Sequence, residues 1–113
     1  MAAAIRHFSR AAKLDTGFSD AYLAWGMALN SEKRFPEAIP PLETYESQAP
    51  DSPTGHYQLA LAYAGVGRKP DANREAALQR QTAEALEQVK RKVQEGLVQQ
   101  SPSDGAQTPQ PPQ

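Results

Sequence analysis

Apolar side chains recur along most of the chain at intervals of three and four residues, which is the spacing of one face of an α-helix. Four segments show this spacing, at Ile5, Phe8, Ala11 and Ala12; at Tyr22, Trp25, Ala28 and Leu29; at Phe35, Ala38, Ile39, Leu42 and Tyr45; and at His56, Leu59, Ala62 and Tyr63. Sustained strand-type alternation is absent from the sequence. The pattern therefore predicts an all-α protein.

Turn-forming residues separate the predicted helices. Pro36 and Pro70 fall near helix starts, where the missing N–H of proline costs little. Residues 30–31 and 65–67 have the composition of tight turns, and residues 49–53 are typical of a stop followed by a restart. These breaks predict short connections between consecutive helices.

Two adjacent prolines, Pro40 and Pro41, lie within the third apolar segment. A proline inside a helix removes a backbone hydrogen bond and clashes with the preceding turn, at a cost of about 3 kcal/mol or more. The helix could end here or continue with a kink. Because Leu42 stays in phase with Ala38, we predict a kinked helix that continues over 36–48.

The chain repeats itself at a spacing of about 34 residues, and the repeat resembles the tetratricopeptide repeat (TPR) family. The residues that carry the resemblance are Tyr22, Trp25, Gly26, Leu29, Ala38, Leu42 and Pro50 in one repeat, and Leu59, Ala60, Tyr63, Gly67 and Ala72 in the next. Ala4, Phe8 and Ala11 resemble the second helix of a preceding repeat. Thr16, Tyr45 and Ala76 depart from the family's usual residues at their positions.

The resemblance implies an antiparallel helix-pair solenoid, the right-handed TPR superhelix, of about two and a half repeats. Residues 1–17 would be the second helix of a partial repeat, and 18–51 and 52–85 would be full repeats. Residues 86–98 would extend the last helix. Residues 99–113 would form a tail rich in proline and glutamine.

In TPR proteins the first helix of each pair lines a concave groove that binds a peptide or a helix. The resemblance implies a partner-binding groove lined by Asp20, Leu23, Met27, Asn30, Tyr57, Gln58 and Leu61. Some family members hold a C-terminal carboxylate there with lysine, arginine and asparagine, but the matching positions here are Leu23, Met27, Tyr57 and Leu61. We therefore expect recognition by apolar burial, although the same side chains could simply pack within a short superhelix.

The segment after Pro70 contains no proline or glycine before Gly96 and is rich in strong helix formers, which predicts one helix from Ala72 to about Val98. A narrow apolar stripe runs along its later part, at Leu86, Val89, Val93 and Leu97. The stripe could cap the repeats, or it could pair with another helix in a weak homo-oligomer. From residue 99 onward no large apolar residue follows, which predicts a disordered tail over 99–113.

Charge and composition exclude several classes of partner. The 12 basic and 13 acidic residues give a net charge of −1, so nothing indicates binding to nucleic acid or to an anionic membrane. No apolar run approaches the ~20 residues that span a bilayer, and no secretory signal is visible. We expect no membrane insertion and favour a cytoplasmic location.

Candidate chemistry is sparse. Cysteine is absent, and the only histidines, His7 and His56, fall on different predicted helices. Because Tyr22 stands at the position of His56 in the preceding repeat, we expect His56 to pack in the core rather than to bind a metal. Residues 65–69 lack the spacing of a phosphate loop. We expect no catalysis, no cofactor and no metal.

The leading hypothesis is a non-catalytic protein–protein interaction scaffold, which fits the general use of such repeats. A helical self-association module is one alternative. The other is an accessory TPR segment cut from a longer enzyme or secretion protein.

Overall fold

The computed structural model describes the backbone of residues 2–107 and the side chains of residues 2–97. Within these residues the chain forms five α-helices and no strand, which confirms the all-α prediction. The helices are α1 (Ala2–Leu14), α2 (Ser19–Ser31), α3 (Phe35–Gln48), α4 (Pro53–Gly65) and α5 (Lys69–Gln107). No helix of the described chain is both long enough and apolar enough to cross a membrane.

The chain divides into two units. The first, Met1–Thr82, contains α1 to α4 and the beginning of α5. Within it α1 packs on α2, α2 on α3, and α3 on α4, and α2 also contacts α4. The second unit, Ala83–Gln113, contains the remainder of α5.

The 34-residue spacing of the sequence is also the spacing of the helices. Helices α2 and α4 each have 13 residues, and they begin at Ser19 and Pro53, which are 34 positions apart. Helices α3 and α5 begin at Phe35 and Lys69, again 34 positions apart. The helix starts therefore recur at the same spacing as the sequence repeat.

The turns between the helices of each pair also repeat in their hydrogen bonds. The amide of Arg34 donates to the Leu29 carbonyl, and the amide of Arg68 donates to the Tyr63 carbonyl, both at 2.9 Å. The donors are 34 positions apart, and so are the acceptors. The two helix pairs thus turn by the same backbone geometry.

The first of these turns lies later than predicted. Helix α2 continues through the predicted turn at 30–31, and the chain turns at 32–34 instead. Lys33 adopts a left-handed backbone with φ of 59°, at the position where the second turn has Gly67 with φ of 82°. Lysine rarely adopts this conformation, so nothing in the sequence predicted a turn at Lys33.

The core of the first unit lies between its helices. Leu42 and Leu59 are fully buried at its centre. The other buried members of this cluster are Ile5, Ala28, Leu29, Ala38, Ile39, Ala62, Tyr63 and Ala72. The residues of the four predicted apolar faces supply nearly all of these side chains, whereas Trp25 packs against the core while only partly buried.

Helix α3 continues through Pro40 and Pro41 without interruption, as the apolar phase predicted. Pro40 is exposed, whereas Pro41 is buried beside the fully buried Leu42. The hydroxyl of Thr44 donates to the Pro40 carbonyl at 3.1 Å. Burial of the following apolar residues offsets the hydrogen bonds that the two prolines cannot form.

Helix α5 runs unbroken through 72–98, as predicted, but it ends at Gln107 rather than near Val98. The predicted tail began at residue 99, whereas the described helix includes 99–107; residues 108–113 lie outside the described part of the chain. Extending an existing helix fixes one residue for each new hydrogen bond, which is far easier than starting a helix. The helix therefore continues beyond position 98, although no large apolar residue follows it there.

Candidate functional site

The predicted groove residues lie on α2 and α4, and one pair of them connects the two helices. The side-chain amide of Asn30 donates to the backbone carbonyl of Gln58 at 3.0 Å and to its side-chain oxygen at 2.9 Å. Asn30 is buried, and within the described residues its own side-chain oxygen has no hydrogen-bond partner. The contact joins α2 to α4 directly.

The apolar members of the predicted groove are mostly exposed. Met27 on α2 and both Tyr57 and Leu61 on α4 have more than a third of their surface accessible. Leu23 differs, because it is partly buried and packs against the core. Asp20 is exposed in the first turn of α2. Three large apolar side chains therefore remain available on this face.

A shallow cavity lies next to Tyr57. Its volume is about 300 Å³, and Pro53, Thr54 and Tyr57 of α4 line it together with Gln79 of α5. Gln79 was not among the predicted groove residues. The cavity would hold one medium-sized side chain beside the Tyr57 ring.

A second cluster was not predicted at all. His56 of α4 lies between Glu46 of α3 and Glu75 of α5. The imidazole Nδ1 is 2.7 Å from Glu75 Oε1 and 3.1 Å from Glu46 Oε2. The exposed side-chain fractions are 3% for His56, 1% for Glu75 and 27% for Glu46. His56 was expected to be buried, which it is, but among carboxylates rather than apolar groups.

The start of α4 fixes the orientation of the His56 ring. Ser52 precedes the helix, and its hydroxyl accepts the Gly55 amide at 3.2 Å. The imidazole Nε2 lies 2.7 Å from the carbonyl oxygen of Pro50. Because a carbonyl only accepts hydrogen bonds, Nε2 carries a hydrogen and donates it there. The other ring nitrogen, Nδ1, therefore faces the two carboxylates.

The pKa values of His56 and Glu46 are both raised in this cluster. Burial alone would lower the pKa of His56, but the hydrogen bonds to Glu75 and to the Pro50 carbonyl and the charges of both glutamates raise it. Burial raises the pKa of Glu46, and a hydrogen bond to Glu75 raises it further. Arg74 also lies beside the cluster, with its Nη2 3.6 Å from Glu75 Oε2. The site thus concentrates negative charge that protons or other cations must balance.

Comparing residues 34 positions apart reveals a sequence signal for this cluster, which the prediction did not use. The positions 34 residues before Glu46, His56 and Glu75 are occupied by Ala12, Tyr22 and Pro41. The alanine, tyrosine and proline of the first set are thus replaced together by two carboxylic acids and an imidazole. A search for such concerted changes would have grouped the three residues.

The predicted helix-pairing stripe lies in the second unit. Its four members, Leu86, Val89, Val93 and Leu97, are all exposed. Among the described ion pairs of this region, Lys90 contacts Glu87 at 3.7 Å, and both side chains are largely exposed. Such an exposed pair contributes little to stability. The four apolar side chains of the stripe remain accessible to a partner helix.

Comparison of the sequence with models of known protein families, with curated proteins and with solved structures finds no match.

Proposed function

We propose that the first unit is a TPR-type solenoid that binds a peptide or a helix of another protein without catalysis. The helix starts that recur every 34 residues support the repeat. The matching hydrogen bonds of the two turns support it as well. Repeats of this kind present extended surfaces for partner proteins.

The exposed side chains of Met27, Tyr57 and Leu61 carry the proposal. They come from the equivalent helices α2 and α4, which the contact between Asn30 and Gln58 holds together. Each large apolar side chain that a partner buries would contribute about 1.5–3 kcal/mol before the cost of ordering the peptide. The cavity beside Tyr57 would receive one anchoring side chain of the partner.

The test uses peptides selected on the immobilised full chain from a random display library. Fluorescence anisotropy then measures the dissociation constant of the tightest peptide for the wild type, Tyr57→Ala and Leu61→Glu. We expect each variant to bind at least about tenfold more weakly, a loss of ~1.4 kcal/mol, because each removes an apolar anchor.

Leu14→Glu is the matched control, since Leu14 is an exposed apolar residue on α1 outside the groove. Its dissociation constant should equal that of the wild type. Equal losses in Leu14→Glu and Leu61→Glu, or unchanged binding in both groove variants, would show that the groove is not the binding surface.

A second candidate function is self-association through the α5 stripe. It is favoured by the exposure of the four stripe residues defined above. Their spacing of three and four residues suits one partner helix, and the charged Lys90 within the segment would keep the pairing weak. Sedimentation equilibrium of the full chain over a range of concentrations distinguishes this candidate from a monomeric binding module.

A further inference from the structure

Three side chains of the kinds that bind transition metals converge inside the first unit. Nδ1 of His56 and carboxylate oxygens of Glu46 and Glu75 lie within 4.8 Å of one another. Imidazole nitrogen and carboxylate oxygen are both common ligands of zinc in proteins. Since the three residues come from α4, α3 and α5, the packing of these helices determines their separation.

The orientation of His56 is that of a metal ligand. In metal sites, a histidine usually donates its second ring N–H to a carboxylate or a backbone carbonyl, which fixes the ring. Here Nε2 lies 2.7 Å from the carbonyl oxygen of Pro50, and Nδ1 faces the two carboxylates. The nitrogen that would bind the metal therefore already points toward the other ligands.

The residues 34 positions before the cluster indicate that helix packing does not require these polar groups. At the equivalent place among α1, α2 and α3, the chain has Ala12, Tyr22 and Pro41. Ala12 and Pro41 are buried there, so these helices pack without a titratable cluster. Replacing a buried ionic cluster with apolar residues is often neutral or stabilising. Burying Glu46, His56 and Glu75 costs free energy that apolar side chains would not cost. The packing of the helices alone therefore does not explain these three polar residues.

We propose that Glu46, His56 and Glu75 form a binding site for one divalent transition-metal ion, and that Zn²⁺ is the ion it suits best. Tetrahedral zinc with bonds of about 2.0–2.2 Å holds its ligand atoms roughly 3.3 Å apart. The present separations of 2.7 and 3.1 Å would have to widen by on the order of 0.5 Å. Small rotations of the glutamate side chains supply such a change.

The partly exposed Glu46 gives the ion a route from solvent to the buried ligands. Zinc binding would release any proton on Nδ1 of His56, because a nitrogen that binds a metal must be deprotonated. Mg²⁺ and Ca²⁺ fit less well, because they prefer six or more oxygen ligands.

The experiment measures Zn²⁺ binding to the full chain after treatment with a chelator and dialysis. Competition with a chromophoric chelator gives affinity and stoichiometry for the wild type, Glu46→Gln and His56→Tyr. His56→Tyr introduces the residue found at the equivalent position 22, so the change suits the repeat. The controls are His7→Gln, which alters the other histidine, and Glu32→Gln, which alters an exposed glutamate.

We expect one Zn²⁺ per wild-type chain, at least tenfold weaker binding in Glu46→Gln, and complete loss in His56→Tyr. Both controls should bind as the wild type does, and Zn²⁺ but not Mg²⁺ should raise the thermal midpoint of the wild type. Equal affinity in the wild type and Glu46→Gln, or loss of binding in His7→Gln, would overturn the proposal. So would the absence of wild-type binding. If His56→Tyr fails to fold, Glu46→Gln alone decides, with circular dichroism as the check of its fold.

Discussion

Replacing Gly26 with alanine should destabilise the first unit, although alanine is the better helix former. Gly26 lies within α2 against the fully buried Leu42 of α3. A Cβ atom at position 26 would lie 2.3 Å from Cγ of Leu42 and 2.4 Å from its Cδ2. Ordinary contacts between carbon atoms begin near ~3.5 Å, so the Leu42 side chain or one of the two helices must move.

The magnitude follows from two opposing effects. Adding a methyl group to a tightly packed core costs typically ~1–3 kcal/mol, and the severe overlap with Leu42 indicates the upper end. The higher helix propensity of alanine returns about 1 kcal/mol. We therefore expect the free energy of unfolding of Gly26→Ala to decrease by about 2 kcal/mol. Urea unfolding followed by circular dichroism measures this change.

A matched substitution separates the overlap from other effects of alanine. Gly96 lies in α5, and a Cβ atom there would meet nothing within 4 Å, so Gly96→Ala should increase the helix content without destabilising the chain. Leu42→Ala removes the side chain that the added methyl group would overlap, and its effect combined with Gly26→Ala should be smaller than the sum of the two single effects. A neutral Gly26→Ala, or strictly additive effects, would refute the described packing of α2 on α3.

Three further predictions concern the groove, the polar cluster and α5. Leu59→Ala should lower the free energy of unfolding by about 2–5 kcal/mol, because Leu59 is fully buried. Tyr57→Ala should lower it little, because Tyr57 is exposed. Equal losses of stability in thermal denaturation would contradict the assignment of Tyr57 to the groove. Because the pKa values of His56 and Glu46 are raised in the folded protein, the protons they bind should stabilise the metal-free chain below the ordinary pKa values of 6.5 and 4.5. That stabilisation should be lost as the pH rises through the raised values, so urea unfolding in chelator should show lower stability at about pH 8 than at about pH 6, and the opposite order would contradict the described cluster. Removing residues 84–113 should abolish any dimer seen by sedimentation and leave the first unit folded; a dimer that persists would exclude pairing through the stripe.

The sequence was sufficient for most of the fold because the signals that determine it are local. The spacing of apolar residues predicted α1 to α4, and the position of Leu42 relative to Ala38 predicted that α3 continues through Pro40 and Pro41. Signals of this kind extend over one or two helical turns. The 34-residue period of the sequence matches the spacing of the helix starts and of the turns.

The sequence was insufficient where the structure depends on contacts between distant residues or on unusual backbone geometry. Glu46 and Glu75 are ordinary polar residues in their own helices, and only the packing of α3, α4 and α5 brings them to His56. Lys33 adopts a left-handed backbone in the turn between α2 and α3, a conformation that lysine rarely adopts. Leu23 fits the groove by its position, but it packs against the core.

The beginning of α4 allows the two proposals to be tested independently. A helix turns by about 100° per residue, so consecutive side chains face different surroundings. His56 faces the carboxylates, Tyr57 faces solvent, Gln58 contacts Asn30, and Leu59 lies in the core. Substituting one of them therefore affects mainly one property, which is zinc affinity for His56, peptide affinity for Tyr57, and stability for Leu59. A zinc-binding defect with normal peptide binding in His56→Tyr, and the reverse in Tyr57→Ala, would assign the two properties to separate faces of one helix.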